Sequence, residues 1–384
     1  MTETTTEHPG RPDSLDRAAG LRASDTLFDL RRQRPEFLNG AEVCRPSVLA
    51  PKDEAGLGAA IRAALAFRMA RQNEDAALVD QYRTTLSAAA PASNESAIAD
   101  GADAQTLDAP YDAIARHSDL ITRTPSKATA DDIDRLVQAG LSNQQIVAFS
   151  ELIGFVNFET RVATGLRLLK SAGDGHRGDA TPDQDPAATP SEPQTSSRAP
   201  TIHLKPLDWI PHIEPVEIAE ATPEQLAAMQ VTPSAGKVSP YVRTLAHDPD
   251  SYLARTELFN AIMYVDGGLR LQDRELGALG ASMHNGCAYC ATVHAERHSK
   301  YAGSTDAVYA LMSGQEDKLA PRDAAIVDFA RDLSRTPPRA TTAQVRALYD
   351  HGFDDFEMID LIHAIAIFGW ANRLMHVLGR SEPT

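Results

Sequence analysis

The stretch "RTPSKATADDIDRLVQAG", Arg123 to Gly140, returns as "RTPPRATTAQVRALYDHG", Arg335 to Gly352, without a gap and at an offset of 212 residues. Arg, Thr, Pro, Ala, Thr, Leu and Gly recur in step, which marks an internal repeat and makes a duplicated domain the economical reading. Each copy reads as helix: apolar residues fall near a 3.6 period at Ile133, Leu136 and Val137, again at Val345 and Leu348, and at Ile359, Ile362 and Ile367. Thr129 and Thr341 follow Pro-containing turns and have an acidic or amide residue three positions on, as helix starts do; Gly140 and Gly352 sit where these helices should stop. No period-two strand stands out.

Carried forward, the register pairs Phe158 with Trp370, Arg161 with Arg373 and Val162 with Leu374; carried backward, it pairs Ala66 with Ala278, Asn73 with Asn285 and Ala76 with Ala288. In between, "APYDA" from Ala109 matches "APRDA" from Ala320 only with a one-residue slip. Between the copies lies a segment with no Leu, Ile, Val, Met or aromatic residue from Ser171 to Pro200, and prolines throughout. The expected organisation is a disordered tail over 1–24, a helical domain over 25–170, a linker over 171–202 and a second helical domain over 203–384.

Acidic residues outnumber basic ones by 53 to 37, with no Lys/Arg cluster along the chain, which argues against nucleic acid and anionic membranes as partners. The start has neither the basic nor the apolar region of a secretory signal. The apolar run "LIHAIAIFGWANRLMHVLG" is interrupted by His363, Asn372, Arg373 and His376, so it reads as a buried helix and no membrane partner is expected. Three cysteines make no disulfide framework, and the expected compartment is the cytoplasm.

Two of those cysteines fall in "HNGCAYCATVHAERH", His284 to His298. Asn285-Gly286 should end one helix and let another begin near Cys287, where the positive end of the backbone dipole favours thiolate. Cys287, Cys290, His294 and His298 then lie on one stripe about 16 Å long, too long for all four to ligate one zinc at about 2.0–2.3 Å. A three-ligand set of Cys287, Cys290 and His294 stays open on spacing, beside a redox dithiol. His294 lies one turn past Cys290 and can move a thiol proton. His284 and His298 read as packing or solvated residues, and Cys44 as a small apolar one.

Glu275, an eleven-residue gap, then Cys287-x-x-Cys290-x-x-x-His294 resembles the alkyl hydroperoxidase D (AhpD)-like branch of the carboxymuconolactone decarboxylase family. The resemblance covers about 251–379 well, and 25–170 looks like a degenerate copy. It implies an all-α fold of two tandem domains, often trimeric oligomers, and a thiol-dependent peroxidase acting on organic hydroperoxides. Cys290 would attack, Cys287 would resolve, and Glu275 with His294 would relay protons. No bound cofactor or metal is implied; electrons would come from an external dithiol reductant protein or lipoyl domain. Family members carry a histidine where this chain has Tyr289. At the repeat offset, Ala63, Asp75, Leu78 and Tyr82 stand opposite the four site residues, so the first copy is expected to be structural and to cover an interface. A non-redox decarboxylase-type enzyme and a redox-regulated interaction protein are the alternative readings.

Overall fold

The computed structural model describes residues 10–176, 202–203 and 205–383, nearly all of them in helices and turns. The repeat is visible as geometry. Ala59–Gln72 corresponds to Leu271–Asn285, Ala76–Ala88 to Ala288–Ala302, and Ala130–Gln138 to Thr342–Asp350. The long helices Asn143–His176 and Asp355–Val377 correspond in the same way, and all four pairs start 212 positions apart. The one-residue slip expected from sequence is local: Tyr111–Arg123 has 13 residues and its counterpart Pro321–Ser334 has 14, so the register recovers by Arg123 and Arg335.

Local chemistry sets these boundaries as expected. Thr129 and Thr341 both form reciprocal capping boxes, with Asp132 and Gln344 respectively. Gly140 and Gly352 take left-handed φ values of 92° and 81°, which a side chain would resist.

The two copies share one hydrophobic core instead of standing apart. Its axis is the contact between Asn143–His176 and Asp355–Val377, buried on every side. Gly154 lets them approach: a Cβ there would lie 1.9 Å from the Trp370 ring. Asp355–Val377 is long and apolar enough to cross a membrane, but its apolar window is wholly buried inside the protein, as a core helix requires.

Three sequence expectations need correction. The tail expected over 1–24 contains a capped helix, Ser14–Ala19, whose Leu15, Ala18 and Ala19 are buried, while Asp16 pairs with Arg31. Part of the expected 171–202 linker is helix through His176, and Ile202 is buried; the rest of that segment, like 1–9, lies outside the described residues. A short antiparallel ribbon also exists, Leu207–Pro211 paired with Gly379–Pro383. Its period-two signal was masked because only Leu207 and Trp209 of the first strand bury fully.

Candidate active site

Leu271–Asn285 ends at Gly286, whose φ of 78° turns the chain, and Ala288–Ala302 runs back beside it. The turn places Cys287 at the N-cap of the second helix, where its carbonyl accepts from the Ala291 amide at 2.9 Å. Cys290 and His294 follow on the buried face, with Cys287 3% exposed and Cys290 6%. Because the two helices are antiparallel, Glu275 comes level with His294 and its Oε2 hydrogen-bonds His294 Nδ1. Glu275 is fully buried, and its Oε1 has no hydrogen-bond partner. The His294 ring meets Phe368 edge-on at 4.4 Å.

The geometry therefore brings together Glu275, Cys287, Cys290 and His294. His298 is apart from this group in function: its Nδ1 is tied to the Gln272 carbonyl at 2.9 Å. His284 faces another cavity, and burial with neighbouring arginines pushes its imidazole down to about 4. Cys44 is buried far along the chain in the first copy, where burial drives its thiol pKa up. Among the described residues, no group of three or more His, Cys, Asp or Glu side chains converges as metal ligands would.

The electrostatics of the dithiol set its two sulfurs apart, in the direction expected of the helix start and opposite to the attacking role the resemblance implies for Cys290. Burial raises the Cys287 pKa, but hydrogen bonds from the Cys290 side chain and backbone and from the Asn372 amide outweigh it, so the net shift is downward. Donating that hydrogen bond to Cys287 holds the Cys290 thiol well above its ordinary value; burial adds to this, and Asn372 and Arg255 oppose it. Of the two thiols, Cys287 at the helix start is therefore the more acidic, and Cys290 holds its proton more tightly.

Asn372 was overlooked as a site residue. Its Oδ1 accepts from Asn285 Nδ2 at 3.0 Å and its Nδ2 donates to Ser282 Oγ at 3.1 Å, which fixes the amide beside both sulfurs. The signal was available: Asn372 is a polar residue inside the apolar run of the last long helix.

A cavity of about 330 Å³ opens onto Cys287 and Tyr289, walled by Trp209, His212 and Met375. Tyr289, which stands at the position that departs from the family pattern, thus faces the cavity, and burial followed by the two neighbouring cysteines raises its phenol pKa. The first copy supplies Ala128, Thr129 and Ala130 to the same wall. The ribbon contributes Trp209, Gly379, Arg380 and Ser381, so the elements hardest to read from sequence close the site.

Residues 249–332 match the model of the carboxymuconolactone decarboxylase family. A solved structure from Ralstonia eutropha JMP134, described as the alkylhydroperoxidase AhpD core of an uncharacterized peroxidase-related protein, is 29% identical. The similarity covers 42% of this chain and 86% of that one, with a TM-score of 0.37. No curated protein matches the chain.

Proposed function

From a carboxymuconolactone decarboxylase family segment that carries Glu275, Cys287, Cys290 and His294 within residues 249–332, we propose that the protein is a thiol-dependent peroxidase of the alkylhydroperoxidase type. The observation that carries this reading is the pairing of a hydrogen-bonded Cys287–Cys290 dithiol with a buried Glu275–His294 hydrogen bond one helical turn away. A carboxylate behind an imidazole holds its tautomer and stabilises it when it takes a proton. A structural dithiol would need neither.

In the proposed cycle Cys290 gives up its proton to the Cys287–His294 side and attacks the distal oxygen of a hydroperoxide. The sulfur–oxygen bond forms, the oxygen–oxygen bond breaks, and the alkoxide leaves as alcohol with a proton from His294. Cys290 is then a sulfenic acid; Cys287 gives its own thiol proton to the departing hydroxyl, which leaves as water, and its sulfur bonds Cys290 to give a disulfide. An external dithiol restores both thiols, the Cys287 sulfur on the cavity side being the one it would meet. The lowered pKa of Cys287, set by its hydrogen bonds from Cys290 and Asn372, favours a second assignment, in which Cys287 attacks and Cys290 resolves.

Stopped-flow reaction of the reduced protein with an organic hydroperoxide, followed by mass spectrometry, separates these outcomes. Wild type should end as a Cys287–Cys290 disulfide, and Cys287→Ser should trap a sulfenic acid on Cys290. Trapping on Cys287 in the Cys290→Ser variant, with none in Cys287→Ser, exchanges the roles. Equal peroxide consumption by wild type and a variant lacking both cysteines would sink the peroxidase reading.

A further inference from the structure

A second cavity, of about 920 Å³, lies between the two copies on the far side of the Asn285-Gly286 turn from the dithiol. Its wall repeats across the duplication: Arg123, Thr124 and Pro125 face in from one copy, and Arg335, Thr336 and Pro337 from the other. Six cationic side chains line it, Arg71, Arg123, Lys127, Arg331, Arg335 and Arg373, against the carboxylates of Glu74 and Glu316. Both carboxylates are already engaged, Glu316 by Arg331 at 2.5 Å and Glu74 by Arg339 at 3.3 Å. Arg335 is bound to Asp332 at 2.8 Å, but Arg123 and Lys127 form no ion pair among the described residues. In a chain of net charge −16, such an excess of positive charge in one cavity is a local construction.

Arg373 on the cavity wall, and Arg161 bonded to that wall from behind, add an independent observation. Arg373 and its repeat counterpart Arg161 are both about 1% exposed or less, and neither touches a carboxylate. Arg373 donates to the carbonyls of Gly369 at 2.7 Å, Thr122 at 2.9 Å and Ile121 at 3.1 Å. Arg161 donates to Thr336 Oγ1 at 2.7 Å, and Arg373 reaches the same oxygen at 3.4 Å. Two buried guanidinium groups therefore share one hydroxyl on the cavity wall. Ser334 Oγ, also on that wall and buried, has no hydrogen-bond partner at all. Burial lowers the pKa of both arginines, and Arg161 lowers that of Arg373 further, yet guanidinium remains charged near neutral pH. Two like charges out of water with no counter-ion are costly, and an anion in the cavity offsets that cost.

We propose that this cavity binds a small polyanion bearing phosphate or carboxylate groups, held by Arg123, Lys127, Arg335 and Arg373. Its volume lies within the range of small-molecule sites. The dithiol takes no part, so the site is independent of the peroxidase reading.

The test is calorimetric titration of the full-length protein with pyrophosphate and with citrate at matched ionic strength, with sodium chloride as control. Saturable binding of at least one anion is expected, unchanged when both Cys287 and Cys290 are replaced by serine. Binding of pyrophosphate alone identifies phosphate chemistry, and of citrate alone polycarboxylate chemistry. Arg123→Ser combined with Lys127→Ser, at two exposed positions, should weaken binding by about tenfold or more. Arg335→Ser should do the same. Absence of saturable binding, or affinity unchanged in these variants, overturns the proposal.

Discussion

The same helical turn begins with Cys287 in the second copy and with Asp75 in the first, and the two positions show how one scaffold is used twice. Asp75 caps its helix by accepting from the Leu78 amide at 3.0 Å and pairs with Arg167 at 2.6 Å. Two turns further, where the second copy has His294, Tyr82 hydrogen-bonds Glu159, which Arg45 also contacts. Each copy thus buries a carboxylate beside this helix. In the first, a permanently charged guanidinium neutralises it, so no proton needs to move. In the second, Glu275 has only a titratable imidazole and leaves one oxygen unpartnered. A carboxylate clamped by arginine is structural, whereas one held by histidine can support proton transfer.

The largest expected effect breaks the active half of this comparison. Glu275→Gln keeps the volume but removes the charge behind His294, and peroxide turnover should fall by about 10²- to 10³-fold with thermal stability nearly unchanged. Steady-state peroxide consumption beside a melting curve checks it; full activity would show that the pair is not a relay. The structural half breaks differently. Arg45→Met leaves the buried Glu159 charge against Tyr82 alone and should cost about 3–5 kcal/mol in urea unfolding, while peroxide turnover per folded molecule stays constant. Any selective loss of turnover there would give the first copy a role in the chemistry.

Gly154→Ala tests whether the copies depend on their shared core. With Trp370 only 1.9 Å from the added Cβ, stability should drop by about 3 kcal/mol, and both copies should melt in one transition. Two separated transitions would mean the halves are independent.

The smallest effect is a pH slope. Glu151, from the first copy, donates no charge to its surroundings cheaply: burial raises its pKa to about 7, against the pull of Arg255 and its hydrogen bond from Trp370 Nε1 at 2.7 Å. A carboxyl raised in the folded state binds more protons there than in the unfolded chain between about pH 4.5 and 7. Its stabilisation is full below that window and is lost as pH rises through it, with about 2.5 kcal/mol of the loss falling between pH 5 and 8. From pH 5 to 8 wild type should lose stability relative to Glu151→Gln, which has no carboxyl to titrate there, as unfolding of both measures; parallel curves would refute the shift.

Much of the fold was legible. The repeat at 212 residues, the caps at Thr129 and Thr341 and the Gly286 break are local features written in a few adjacent side chains, and helices obey such short-range rules. The helix at Ser14–Ala19 and the ribbon at Leu207–Pro211 were not. Both are short, and both are stabilised by contacts with residues far along the chain, Arg31 and the segment Gly379–Pro383. Cys287, Cys290 and His294 were nameable from spacing and Glu275 from the family resemblance, but Asn372, though visibly polar in an apolar helix, gives no local sign that folding sets it beside the sulfurs.

The sequence by itself determined an all-helical duplication, the place of the dithiol at a helix start and the loss of that chemistry from the first copy, because residue type and short spacing settle each of these. Only the tertiary structure decided which sulfur is the more acidic, how the first copy walls the Cys287 cavity, and that arginines from both halves gather around a second one. Those outcomes depend on burial and on contacts between segments distant in the chain, and neither exists until the chain has folded.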